Sequence, residues 1–185
     1  MSAGIAIFGM SGFAREVADI VRAGGVEDIR FILRDDETAP PGAAATPESQ
    51  VASLAAAGYR FTIGIGEPRL RRAIARRYPD LPWARLVHPC ASFGDEAILR
   101  DVPGLIVAAG VRMTNGIRLG PHSLFNLNVT VGHDCDIGSC AAVMPTLLKQ
   151  RLSSTGTNVP SSLRRASVHS GSNAARIRKP LSAAF

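Results

Sequence analysis

No acidic residue follows Asp136, no apolar run approaches the length of a membrane span, and the three cysteines form no C-x-x-C pair. The missing run of about 18 apolar residues argues against a transmembrane helix. Cys90, Cys135 and Cys140 are odd in number and scattered, which fits a reducing compartment better than a disulfide framework. No basic segment with a small-residue cleavage site opens the chain, so it is expected to be mature and cytoplasmic. The lack of acids near the end also explains the formal charge of +6. Up to residue 145, fourteen basic residues face fifteen acidic ones; beyond it, seven basic residues face none. The basic character belongs to the tail. Without interleaved aromatics or an apolar stripe, the tail predicts neither a nucleic-acid nor a membrane partner.

What is present is a period of six. Val107, Met113, Leu119, Phe125, Val131, Ile137 and Val143 keep this spacing. Four residues after most of them comes a small or apolar residue: Val111, Ile117, Val129, Cys135 and Ala141, with Ser123 the polar exception. Neither an amphipathic helix nor a half-buried strand repeats this way, whereas a parallel β-helix of hexapeptide faces does. The lead aliphatic and the small residue are expected to point inward and stack coil on coil. Glycine follows the lead in Leu119-Gly120, Val131-Gly132 and Ile137-Gly138, where it is expected to turn the corner. Val87, Phe93 and Leu99 extend the series upstream, with Ala91 and Ala97 as partners. The gap of eight from Leu99 to Val107 predicts a two-residue insertion within 100–105. About three coils then fill residues 87–145.

Residues 1–80 predict a small βαβαβα domain with a Rossmann-like parallel sheet. A strand at 5–8 leads through Gly9, Ser11, Gly12 and Phe13 into a helix at 14–22, with Val17, Ile20 and Val21 as its apolar face. Such a turn offers backbone N–H groups and a positive dipole end to phosphate; a merely tight turn is the alternative. Arg15 stands where a dinucleotide fingerprint needs its third glycine, which disfavours a complete NAD site. The second strand, at 29–33, ends in Arg34, Asp35 and Asp36. Acids placed there accept hydrogen bonds from sugar hydroxyls, though a solvated acidic turn fits equally. Residues 38–50 predict a loop, 48–57 a short helix and 60–65 a strand ending in glycines. A helix follows at 67–78, its arginines expected to form a solvated face, with anion binding as the alternative. Residues 79–86, with Pro79, Pro82 and the only tryptophan, suit a linker or a docking segment, and 81–86 are taken as the linker.

His133 follows the inward Val131 by two residues, on a polar position of a coil face. A structural histidine and a general base both suit that place. Adjacent strand residues point to opposite sides, so Asp134 reaches His133 only if a corner intervenes. Zinc bound by His133, Cys135 and Cys140 is a rival reading. The inward position of Cys135 favours space-filling instead, and no metal is expected.

Several stretches together resemble the bacterial sugar O- and N-acetyltransferases of the sialic-acid O-acetyltransferase and UDP-bacillosamine N-acetyltransferase type, within the hexapeptide-repeat acyltransferase superfamily. They are Ile5 through Val17, Leu33 through Asp36, Ile63 through Arg71, Leu86 through Pro89, and Asn126 with Val131 through Gly138. The resemblance spans residues 5–145. It implies a nucleotide-sugar-binding domain joined to a left-handed β-helix, assembled as a homotrimer. Acetyl-CoA would be the acyl donor and a nucleotide-activated sugar the acceptor, in surface polysaccharide or glycan precursor synthesis. On that resemblance His133 is the general base and Asp134 raises its basicity. Ser11, Gly12, Phe13, Asp35, Asp36 and Gly66 contact the nucleotide sugar, and Asn126 lies near the acceptor. The chemistry agrees, because an attacking amine or hydroxyl must lose its proton and a histidine titrates near neutrality.

The chain then departs from the pattern. Lys149, Thr155, Ser161 and Ser167 occupy the next lead positions, and a histidine common nine residues after the base is Ala142. Residues 146–185, rich in serine and poor in aliphatics, predict a disordered basic tail. So abrupt a change is what a shift of reading frame near codon 145 would produce. Relatives continue with coils that hold much of their acetyl-CoA and trimer contacts. The alternative to an acetyltransferase is therefore a catalytically impaired remnant that binds nucleotide sugar.

Overall fold

The computed structural model describes residues 4–39 and 45–145. The tail at 146–185, its expected disorder and the frame shift near codon 145 lie outside the described residues.

The first part is built on β1 (Ile5–Phe8), buried along its whole length. A strand covered on both faces reads as a continuous apolar run, as Ile-Ala-Ile-Phe does. It is followed by α1 (Gly12–Ala23), β2 (Ile29–Leu33), β3 (Ala45–Pro47), α2 (Val51–Ala56), β4 (Arg60–Ile63) and α3 (Pro68–Arg77). The sheet is parallel throughout, in the order β3-β2-β1-β4. The strand β3 corrects the loop expected for 38–50: Ala45, Thr46 and Pro47 pair with Phe31, Ile32 and Leu33. An edge strand accepts proline, because the missing N–H can lie on the unpaired side. Helix α3 opens with Pro68 at its first position and with the Glu67 carboxylate accepting from Leu70 N–H at 2.7 Å. Both devices satisfy the helix start.

The second part consists of two-residue strands six residues apart. They are β5 (Leu86–Val87), β6 (Ser92–Phe93), β7 (Ile106–Val107), β8 (Arg112–Met113), β9 (Arg118–Leu119), β10 (Leu124–Phe125), β11 (Thr130–Val131), β12 (Asp136–Ile137) and β13 (Ala142–Val143). They form three parallel stacks, β5-β7-β10-β13, β6-β8-β11 and β9-β12, visited in rotation. Ile106 pairs with Leu124 eighteen residues on, but Leu86 pairs with Ile106 at an interval of twenty. The two extra residues fall between β6 and β7. There a 3-10 turn, Glu96–Leu99, occupies the place of a strand and packs against β9.

In every one of these strands the second residue is a hexad lead. Val107, Met113, Phe125, Val131 and Ile137 are buried in one cluster with Val111, Ile117 and Val129, while Val87, Phe93, Leu99, Leu119 and Val143 pack against it. Each buried aliphatic or aromatic side chain there is worth roughly 1.5–3 kcal/mol.

The corners differ from expectation. Gly120, Gly132 and Gly138 do not turn them. Positive φ recurs every six residues at Gly104, Gly110, Gly116, His122, Asn128, Asp134 and Cys140, from +56° to +72°. The corner therefore lies three residues after the lead. Corners stack as well: a Cβ on Gly104, Gly110 or Gly116 would overlap the side chain of His122, Asn128 or Asp134 on the next turn of chain. Gly120 serves close approach instead, since a Cβ there would meet the Gly138 carbonyl carbon at 2.6 Å.

The first residue of each strand faces outward. In the second and third stacks these are Ser92, Arg112, Thr130, Arg118 and Asp136, all polar. In the first stack they are Leu86, Ile106, Leu124 and Ala142, which join Ile5, Ile7, Ala14, Val17 and Val21 in one core. Helix α1 thus docks on the one apolar outer face. Trp83 adds a bridge to Phe61, so the segment expected as a linker continues the α/β sheet before entering β5.

Candidate functional site

Asp134 occupies a corner at φ +57°, which swings its carboxylate back beside the preceding side chain. His133 Nδ1 lies 2.7 Å from Asp134 Oδ2. The corner required by the sequence is present. A carboxylate can only accept, so Nδ1 carries the proton and the Nε2 lone pair is free to take another. Both side chains are open, at 76% and 58% exposure. Gly116, one turn of chain below, leaves the room that Asp134 fills. Cys135 donates weakly to the His133 carbonyl at 3.7 Å and packs at the edge of the core, while Cys140 is buried at a corner. Among the described residues, no three His, Cys, Asp or Glu side chains are grouped to hold a metal ion.

At the start of α1, Ser11 is extended and exposed, and its side chain makes no capping bond. The first N–H groups of the helix therefore receive no cap from the Ser11 side chain. Gly9, at φ +94°, abuts the Ile65 side chain, so the turns after β1 and β4 lie side by side. Phe13 and Asn126 line one cleft of about 160 Å³ between α1 and the first stack, with Glu16, His88, Ala109 and Leu127. Asn126 Oδ1 accepts from Leu127 N–H at 2.6 Å, and its amide donates to Met144 Sδ at 3.4 Å. Met144 also meets Gly66, where a Cβ would stand 2.9 Å from its methyl. Asp35 and Asp36 have local partners: Asp35 accepts from Ser49 N–H at 3.0 Å, and Asp36 pairs with Arg34 at 2.8 Å. His133 and Asp134 stand apart from the cleft, at the corner between the second and third stacks, on the side away from α1.

The arginines of α3 are not all solvated. Arg71 is completely buried and donates to Ile63 O at 2.7 Å, Ile65 O at 3.0 Å and His122 O at 2.7 and 3.2 Å. Burial pushes its guanidinium down to about 10, leaving it charged at neutral pH. His122 packs edge-on against Trp83, with ring centroids 4.7 Å apart, and its Nδ1 has no partner. Burial first, then the Arg71 charge, lower the His122 imidazole from 6.5 to about 4. In that window the unfolded chain takes the proton first. Stability from this group is therefore complete above pH 6.5 and falls as pH drops toward 4. His122→Asn, which tolerates the corner's positive φ, is expected to flatten that slope in denaturant midpoints taken against pH. An undiminished slope would place the titration elsewhere. A repeating aliphatic pattern carries no signal for either residue, and sequence reasoning missed both.

Residues 4–78 match the family described as the PglD N-terminal domain. No curated protein matches the sequence significantly. Among solved structures, the chain is similar to the acetyltransferase domain of PglB from Neisseria gonorrhoeae in complex with acetyl coenzyme A. The TM-score is 0.65 at 22% identity, over 76% of this chain and 69% of that one. It is also similar to PerB from Caulobacter crescentus in complex with CoA and GDP-perosamine, with TM-score 0.64 and 25% identity over 78% and 70%. WeeI from Acinetobacter baumannii gives 0.63 and 22% over 74% and 67%. Among the described residues no helix is long and apolar enough to cross a membrane. Residues 4–78 thus match the PglD N-terminal domain, and with the rotating stacks of short strands that follow, the chain is similar in fold to these solved acetyltransferases over about three quarters of its length.

Proposed function

We propose that this chain transfers an acetyl group from acetyl-CoA to an amino or hydroxyl group of a nucleotide-linked sugar, in the making of surface polysaccharide or glycan precursors. The observation that carries this reading is the His133–Asp134 pair at 2.7 Å, open to solvent on a rigid corner. His133 Nε2 takes the proton as the acceptor attacks the thioester carbon, and returns it to the coenzyme A sulfur as the C–S bond breaks and the thiol leaves. Asp134 fixes the tautomer and stabilises the imidazolium, and backbone N–H groups near the corner receive the charge that develops on the carbonyl oxygen. Residues 1–80 hold the nucleotide sugar. Ser11, Gly12 and Phe13 present the helix start to phosphate. Asp35 and Asp36 lie past β2, where hydroxyls are read, and Gly66 and Asn126 line the path to the acceptor. Residues 81–86 join this domain to residues 87–145, whose three stacks we read as the faces of a left-handed parallel β-helix.

A homotrimer is the assembly that this reading favours. The cleft at Phe13 and Asn126 and the pair at His133 occupy different corners, so a site containing both needs a second copy of the chain. Leu127 and Met144, 37% and 49% exposed beside Asn126, are apolar surface suited to that contact. Sedimentation equilibrium at three times the chain mass is the expected result; a monomer would refute the assembly.

The loss of period after Val143 favours a second reading, a nucleotide-sugar binder without turnover. Free thiol from acetyl-CoA, followed with a panel of UDP- and GDP-amino sugars, separates the two. Sugar-dependent release supports transfer; sugar binding without release supports the remnant.

A further inference from the structure

We propose that Arg71 is a positioning residue, a strut that fixes the loop after β4 to the coil corner at His122 and so sets how the nucleotide-sugar side faces the acetyl-transfer side. This rests on reading that loop as part of the nucleotide-sugar site. Among the described residues Arg71 is the largest fully buried side chain, and its hydrogen bonds go to backbone carbonyls, with no carboxylate among them. Burying a charge without a counter-ion costs several kcal/mol, and an apolar side chain of similar volume would avoid that cost. What an apolar residue cannot do is donate to three carbonyls in two parts of the chain. Ile63 O ends β4, Ile65 O lies in the loop, and His122 O belongs to the corner.

The carbonyls held are well placed to matter. The Ile65 side chain lies against Gly9 of the turn before α1, and the next residue, Gly66, lies against Met144, which bonds Asn126. A shift of the Ile65 peptide would therefore reach both glycine turns and the cleft. At the other end, the corner is over-determined: His122 N–H donates to Pro103 O at 2.8 Å, its ring packs on Trp83, and Gly104 leaves it room. The strut thus ties a light loop to a heavy anchor. Only a planar fork can serve Ile63 O and Ile65 O from one nitrogen while two others converge on His122 O, so lysine is a partial substitute.

The test compares full-length wild type with Arg71→Met, Arg71→Lys and Ile74→Ala. Ile74 sits on the same helix and packs on the sheet core, so its loss lowers stability without touching the carbonyls. Amide hydrogen exchange is read at residues 63–66 and 122–124, and the dissociation constants of UDP and GDP are measured by calorimetry. Loss of the charged hydrogen bonds in Arg71→Met is expected to speed exchange at both segments by about tenfold and to weaken the better nucleotide by a similar factor. Arg71→Lys should fall between, and it decides the matter if the methionine variant does not fold. Ile74→Ala should change neither segment selectively nor the affinity. Exchange that rises on one side alone, or nucleotide affinity unchanged in both Arg71 variants, overturns the strut. If wild type binds neither nucleotide, the proposed function fails, while coupled exchange at the two segments still judges the strut on its own.

Discussion

His133→Ala is expected to lower acetyl transfer by about 10²–10⁴-fold, the usual share of a positioned general base, with no change in melting temperature. The stability half follows from exposure: the His133 side chain is 76% open and bonds only to Asp134. Surface changes of that kind stay within about 0.5 kcal/mol. The activity half follows from the free Nε2, the one ring atom able to take the acceptor's proton once Nδ1 is engaged. Asp134→Asn should reproduce much of the loss, because an amide can donate to Nδ1 and so stabilise the wrong tautomer. Nucleotide-sugar affinity should survive both substitutions, since neither residue lines the cleft at Phe13 and Asn126. Steady-state thiol release, with binding measured separately, checks both expectations; undiminished turnover in His133→Ala removes it from the reaction.

Gly116→Ala should impair the same step without altering either partner of the pair. Gly116 has φ +64°, where a side chain costs about 1–2 kcal/mol, and a Cβ there would overlap Asp134 Oδ1. The Asp134 carboxylate must move, and with it the orientation of His133. A displacement near 1 Å in a group that aligns the base costs up to about 10²-fold in rate. Gly110→Ala is the matched control, since it strains the equivalent corner below Asn128 rather than below Asp134. A kcat that falls in Gly116→Ala but not in Gly110→Ala, at similar melting temperatures, is the expected pattern. Equal rates in the two would mean that the corner does not aim the histidine.

The repeat was legible because inward side chains must stack on copies of themselves. One large apolar residue per six, from Val87 to Val143 with a single gap of eight, marked every strand of the second part and much of its core. The corners were misplaced because four of the seven carry His122, Asn128, Asp134 and Cys140. The glycines at the lead-plus-one position, Gly120, Gly132 and Gly138, have no positive φ and mark no corner. The docking face was written in the sequence but outside the hexad lead: Leu86, Ile106, Leu124 and Ala142 are the apolar outward residues, one per turn of chain. Arg71 gave no warning, since a buried arginine on an arginine-rich helix looks like its solvated neighbours. The strand β3 was hidden by its Ala-Thr-Pro composition, which pairing at a sheet edge tolerates. For the candidate site, the family resemblance supplied the histidine and the acid, and the positive φ at Asp134 is what lets these adjacent residues meet.

The most direct test is the mass of the nucleotide sugar after incubation with acetyl-CoA and the full-length chain. A UDP- or GDP-linked amino sugar heavier by one acetyl group with wild type, and unchanged with His133→Ala, is the predicted result. If no nucleotide sugar of the panel gains an acetyl group, although the chain binds one of them, the acetyltransferase reading is contradicted.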